Sequence, residues 1–485
     1  MRRLATGRLA VLAVLLAIGI RSDGAPAARR PPLRARAVTW NEAQPIVDRL
    51  ADSLPATLRE IPPPERPGRW PAWRDSARQA VLARLARGEE DSLVNLLLFG
   101  TSFTTQPRVT PAFVGDLERR WQAGTRDEAA AALSRAYTQR ASDLVSAAAT
   151  RVADPRLRFA RSVLEGRGFR LSTGGGRSAA VAYLLRSVVR VQQEASALAD
   201  DLAAVRGQTD STAAFAERSR LFRGRGLAPD SSVMTQYAVD RAIQTAGERR
   251  LLAPGGVRGA AIVGPGLDFV DKQEGHDFYP PQSLQPFALI DSLLRWGLAA
   301  PGALAVTTLD VSASVNGHLR EAVDRARRLG RPYRLVLPLA GSPGTWLGDA
   351  AAYWNRAGDR IGSRVAVGEP RGVAGVRVRG VDVTPATLAR LHVVDANVVY
   401  ERVEVAAGEG FDLVVASNVL VYYDTFEQTL ALANLAAMLR RGGLLITNNA
   451  LLEIPEVPMR SASYVTVPFS PGEGDGEHMV FYQKK

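Results

Sequence analysis

The chain has 485 residues, 46% of them hydrophobic and 23% charged, enough apolar material for two or three folded domains, which excludes wholesale disorder. Cysteine is absent, which removes disulfides, cysteine-ligated zinc, thiol nucleophiles and lipoprotein acylation together. The net charge of +12 is arginine scattered among Asp and Glu, with lysine only at Lys272, Lys484 and Lys485, so no specific nucleic-acid partner is expected.

Arg2, Arg3 and Arg8 precede an uncharged run from Leu9 to Ile20, and Ala25-Pro26-Ala27 offers a small-residue cleavage site. These are the three parts of a secretory signal peptide over residues 1–27, and they predict an exported or periplasmic protein. An uncleaved membrane anchor and a misassigned start with a cytoplasmic product are the alternatives. Prolines from Pro26 to Pro32 and from Pro62 to Pro71 lack the amide donor a helix needs, so residues 28–72 read as a proline-rich linker with a short helix.

Residues 73–227 read as all-helical. Ala77, Val81 and Leu85 share one face of a helix over Trp73 to Arg87, and Tyr183, Leu184, Val188 and Val191 continue the style from Ser178 to Val205. Between them, Ser172-Thr173-Gly174-Gly175-Gly176-Arg177 has neither the preceding strand nor the Lys-Ser/Thr pair of a phosphate-binding loop, and reads as a flexible connection.

From Gly259 onward, short apolar strands alternate with amphipathic helices, the pattern of a mostly parallel α/β sheet over residues 228–485. The expected strands are Ala260 to Val263, Leu304 to Leu309, Val398 to Val405, Phe411 to Ala416, Gly443 to Thr447, Tyr464 to Val467 and Met479 to Tyr482. The first runs into Gly264-Pro265-Gly266, a tight turn that lets a ligand approach the backbone. The second ends in Asp310, an acidic side chain able to accept both hydroxyl protons of a ribose or, alternatively, to cap the helix that follows. The fourth ends in Ser417-Asn418, and Asp424 with Glu427 then forms a capping box for a helix that stops at Gly442-Gly443.

Strand-Gly-x-Gly, strand-Asp, Phe411-Asp412-Leu413-Val414, Arg441-Gly442-Gly443-Leu444-Leu445 and a terminal hairpin together resemble a class I S-adenosylmethionine (SAM)-dependent methyltransferase, a Rossmann-like seven-stranded domain. Phe411 to Asp424 is especially similar to the chemotaxis-receptor glutamate methyltransferases. The resemblance covers about half the chain. It implies SAM as cofactor, with Gly264, Gly266, Asp268, Asp310, Ser417 and Asn418 in its site. Asn418, Tyr422, His276 and Tyr279 are the catalytic candidates, and no metal is expected.

The sequence departs from the family pattern at three places. Ile262 stands where an acidic residue precedes the first glycine, Asp268 replaces the third glycine, and the segment from Asp268 to Pro281 is longer than a turn, reading as a lid or a surface loop. An insertion at about 332–390, with a further strand from Val376 to Val383, reads as a cap over the substrate pocket or a structural insert. The expected function is methyl transfer to an oxygen or nitrogen of a small molecule or protein side chain; the alternative is a non-catalytic binding protein that retains the fold.

Overall fold

The computed structural model describes residues 33–485 except 152, 207–219, 230–232, 269–279, 341–345, 369–376, 407–408 and 472–475. The expected signal peptide, His276 and Tyr279 lie outside the described residues. In chain order, β1 (Ala35–Ala37), α1 (Trp40–Arg49) and α2 (Ala56–Arg59) lead into α3 (Arg66–Phe99), followed by α4 (Pro111–Gln122), α5 (Arg126–Thr150), α6 (Pro155–Gly166) and α7 (Gly174–Arg206). Then come α8 (Thr235–Glu248), β2 (Gly259–Val263), α9 (Gln285–Arg295), β3 (Ala305–Asp310) and α10 (Ala313–Leu329). The next stretch holds β4 (Tyr333–Ala340), α11 (Gly348–Arg356), β5 (Gly362–Val365), β6 (Arg377–Val383), α12 (Pro385–Leu388), β7 (Leu391–Asp395) and β8 (Glu401–Val403). The chain ends with β9 (Phe411–Ala416), α13 (Thr425–Met438), β10 (Leu439–Thr447), β11 (Met459–Pro468) and β12 (Gly476–Lys484).

Seven strands make the central sheet in the order β11-β12-β10-β9-β2-β3-β7. The five from β10 to β7 are parallel, while β12 runs antiparallel to both β10 and β11. Alternate side chains bury on opposite faces: Ala260 and Ile262 of β2 join one hydrophobic cluster, Ala261 and Val263 the other. Helices therefore cover both sides, as the near-continuous apolar strands require. Strand order reverses at β2 and β9, and the crevice outside their carboxyl ends is where doubly wound sheets hold ligands.

The second proline-rich stretch, Pro62 to Pro71, is not a linker. Helix α3 begins at Arg66, with Pro67 in its first turn, where an amide would have no intrahelical acceptor, and Pro71 inside. Packing holds it. Trp70 and Trp73 stack 5.1 Å apart in the core, Trp73 meets Phe426 of α13 edge-on, and the Trp70 indole donates to the Val38 carbonyl at 2.9 Å. Residues 33–485 form one compact unit, so the helical region is not separate from the sheet.

Three element boundaries also differ from expectation. The strand next to β3 is β7, and Val398 to Tyr400 forms a turn instead, because the Asn397 side chain accepts the Val399 amide at 3.0 Å and its carbonyl accepts Glu401 at 2.7 Å. Only Glu401–Val403 is extended, and it pairs with β1 outside the main sheet. Gly442 is left-handed at φ 74°, but in a bulge of β10 and not as a cap, since α13 ends at Met438. The Gly174–Gly176 run forms the first turn of α7, with Gly176 pressed against the Arg170 carbonyl.

The insertion forms its own three-stranded antiparallel sheet, β4-β6-β5, covered by α11. Its Tyr353, Trp354, Val381 and Val383 are fully buried and continuous with the core of the main sheet.

Candidate functional site

A cavity of about 370 Å³ opens at the carboxyl ends of β2, β3 and β9. Gly264 and Gly266 form its floor with φ of 63° and 69°, a left-handed backbone that glycine adopts without a Cβ penalty. Close approach adds a second requirement at Gly264, where a Cβ would sit 2.6 Å from Val419 Cγ2. The Gly264 amide donates to the Leu309 carbonyl at 2.8 Å, tying the turn to the end of β3.

One residue on, Asp310 closes β3 with its carboxylate buried in the cavity wall. Burial pushes its pKa up to about 6; the Ser312 and Gly266 amides oppose that shift, and Asp395 on the neighbouring strand reinforces it. Ser312 N donates to Asp310 Oδ1 at 2.7 Å. The helix cap is Ser312, whose hydroxyl accepts from Val315 N, so Asp310 is not spent as the N-cap of α10.

Ser417, at the end of β9, accepts a 2.8 Å hydrogen bond from Gln285 Nε2 at the start of α9. Gln285 is 4% exposed and its Oε1 has no partner among the described residues, leaving a buried acceptor in the cavity wall. Asn418 also reaches the wall, but its side chain is committed: Nδ2 donates to Thr235 Oγ1 at 3.2 Å and Oδ1 accepts from Asn448 Nδ2. Its backbone is left-handed at φ 57°, uncommon outside glycine. Tyr422 lines the same wall, edge-on to Phe222 at 5.7 Å.

Asp268 does not reach this cavity among its described lining. It forms a two-bond bridge with Gln282, N to O at 2.6 Å and back at 2.9 Å, which closes the base of the long segment. The Gln282 amide then pairs with the backbone of Val336 in both directions at 2.8 Å, docking that base onto β4. The segment is thus tied to the insertion. No described residue of the insertion lines the cavity.

The outer wall draws on the helical region, whose sequence carries no catalytic motif, and on the stretch that joins it to the sheet domain. Leu85 of α3 and the stretch Leu227-Ala228-Pro229 complete the cavity. Leu227 N donates to Arg84 O at 2.9 Å, and the Arg84 guanidinium reaches both Arg225 O at 3.1 Å and Tyr422 O at 2.8 Å. Two glycines allow the crossing: a Cβ on Gly88 would lie 2.0 Å from the Leu227 carbonyl, and one on Gly226 2.6 Å from Gly88 N.

Numbered by appearance, the sheet runs 3-2-1-4-5-7-6 with the seventh strand reversed, and the ligand crevice lies at its first, second and fourth strands. This is a Rossmann-like α/β fold with one seven-stranded sheet, preceded by a helical region. No known protein family and no curated protein sequence matches the chain. Among solved structures it is similar to a magnesium protoporphyrin IX methyltransferase from Synechocystis with bound SAM, at 14% identity and TM-score 0.26, over 59% of this chain and 97% of that one. It is also similar to the N-methyltransferase NodS from Bradyrhizobium japonicum, at 13% identity and TM-score 0.23, over 51% and 97%. A third is an O-methyltransferase of neocarzinostatin biosynthesis in complex with S-adenosyl-L-homocysteine (SAH), at 11% identity and TM-score 0.24, over 52% and 57%.

Proposed function

We propose that the cavity binds SAM and that the protein transfers its methyl group to an oxygen or nitrogen nucleophile of a small molecule or peptide. The observation that carries this reading is the alignment of three strand ends: Asp310 on β3, the left-handed Gly264 and Gly266 after β2, and Ser417 after β9, all in one cavity. Adjacent strands are about 4.8 Å apart, so Asp310 and Ser417 are separated by roughly two strand spacings. An adenosyl amino acid suits that span. Asp310 would hold the ribose hydroxyls, the glycine turn would admit the sulfur-bearing chain, and the free Gln285 Oε1 would accept from the ammonium end.

Bound SAM supplies an electrophilic methyl carbon. The protein's part is to orient the acceptor in line and exclude water, which is sufficient for displacement at a sulfonium. The cavity of about 370 Å³ lies within the range of small-molecule sites, about 300 to 1,000 Å³.

The test is calorimetry of the full chain with SAM and SAH, followed by methyl transfer to a panel of phenols, carboxylates and amines. Binding of both ligands is expected; no binding at millimolar ligand overturns the reading. The engaged side chain of Asn418 favours a second reading, a binding protein that retains the fold without turnover. Tight SAM binding with no SAH produced from any acceptor would select it. Export through residues 1–27 belongs to the proposal as well. A mature N-terminus at residue 28 is its expected mark, and an intact Met1 in the purified native protein rejects it.

A further inference from the structure

Four polar side chains from four elements meet beside the cavity. Asn418 Nδ2 donates to Thr235 Oγ1 at 3.2 Å, and Thr235 Oγ1 donates to Glu477 Oε1 at 3.5 Å. Asn448 Nδ2 donates both to Glu477 Oε2 at 3.1 Å and to Asn418 Oδ1, while Asn448 Oδ1 accepts the Asn418 backbone amide at 2.9 Å. These bonds close a ring that joins the ends of β9 and β10, the first residue of α8 and the start of β12. Donors from two sides, Thr235 Oγ1 and Asn448 Nδ2, end at Glu477. Only Glu477 is an acceptor without a proton of its own, whereas a hydroxyl or an amide can point either way.

We infer that Glu477 is a positioning residue for the SAM cavity, acting through Asn448 to hold Asn418 in its left-handed conformation. The logic is a chain of orientations. A carboxylate at 477 fixes which end of the Asn448 amide carries hydrogens, and that turns Asn448 Oδ1 toward the Asn418 N–H. Asn418 at φ 57° is a non-glycine residue in a sparsely populated region, which persists only when neighbours over-determine it. Its conformation aims Val419 at Gly264, where the contact leaves no room for a Cβ, and starts the turn that carries Tyr422 and Tyr423 into the cavity wall. A charge about two side chains from the ligand thereby sets the wall that the ligand meets. The inference rests on the SAM reading of this cavity.

The test uses the full chain, with SAH as the probe and amide hydrogen exchange of the peptide spanning 417–423 as a second readout. Glu477→Leu is expected to weaken SAH about tenfold and to speed exchange in that peptide, while Glu477→Gln, which still accepts from Asn448, stays within about threefold of wild type. The deciding variant is Asn418→Gly, because glycine takes a left-handed backbone at no cost. In that background Glu477→Leu should change SAH affinity by less than about twofold, a non-additivity that a general loss of stability would not produce. The inference is overturned if Glu477→Leu binds SAH and exchanges as wild type does, if the Gln variant is as impaired as the Leu variant, or if the Glu477→Leu effect is undiminished when combined with Asn418→Gly. Should wild type fail to bind SAH, the cofactor reading falls, and the positioning role stands or falls on the exchange pattern alone.

Discussion

Gln285 Nε2 donates to Ser417 Oγ at 2.8 Å, and the other end of the same amide, Oε1, is buried with no partner among the described residues. An unsatisfied buried acceptor costs about 1–3 kcal/mol, so it marks a place where a ligand donor gains more than it would on the surface. Gln285→Leu is expected to reduce SAH affinity roughly tenfold while shifting the melting temperature little, since the variant removes an unpaired oxygen along with a good bond. 5′-Methylthioadenosine, which lacks the amino-acid end, should bind wild type and variant alike. Equal loss for both ligands would reassign Gln285 to the nucleoside part.

Asp310 makes the site pH-dependent. Its pKa of about 6 is set by burial, and accepting ribose hydroxyls requires the ionised form. SAH affinity should therefore rise as pH climbs through about 6 and level off above 7, with about a tenth of the plateau value at pH 5. Asp310→Asn should flatten that profile and lower plateau affinity roughly 10- to 100-fold. The stability of the free protein moves the other way. Because the folded pKa is raised above the unfolded value, stability falls as pH rises between about 4 and about 6, and the Asn variant removes that fall. Thermal melts at pH 4 and pH 8 check the sign.

Those two residues show how unevenly the site was legible in sequence. Asp310 sits at the end of an apolar run and next to a capping serine, a local signal, and the glycine turn, the β9 motif and the terminal hairpin are equally local. Gln285 carries no such mark: its meaning depends on Ser417, 132 residues away, and on a cavity that only the fold creates. The third strand of the sheet was misread for a physical reason. Val398, Val399 and Tyr400 are more apolar than Leu391–Asp395, yet an Asn397 side-chain turn claims them, and no periodicity count registers that bond. Glu477 was missed because a single acidic residue after a glycine-rich turn looks like any solvated surface charge.

The helical region closes the cavity at the crossing of Gly88 and Gly226, which makes Gly88 a sharp probe. Alanine there would place Cβ 2.0 Å from the Leu227 carbonyl, backbone against backbone, so α3 and the 224–229 stretch must separate. Overpacking of that kind costs about 1–3 kcal/mol, and here it also moves Leu85 and Leu227 out of the cavity wall. Gly88→Ala should lower both the melting temperature and SAH affinity. Gly166→Ala, where no described residue outside the local helix backbone comes within 4 Å of the added carbon, is the matched control and should leave both unchanged. Loss of stability with unaltered affinity at Gly88 would show that the helical wall does not shape the ligand site.

The insertion gives the opposite dissociation. Trp354 of α11 is fully buried in the core the insertion shares with the main sheet, 6.3 Å from Trp346 and 4.8 Å from the Tyr353 ring, so its removal leaves a large apolar void. Trp354→Ala should cost about 3–5 kcal/mol, measured as a shift in the urea midpoint with little change in slope. No described residue of the insertion touches the cavity, so SAH affinity at a temperature where the variant is folded should stay within about twofold of wild type. A large affinity loss at full folding would instead mean that the insertion reaches the ligand through the Gln282–Val336 pairing and the long segment it anchors.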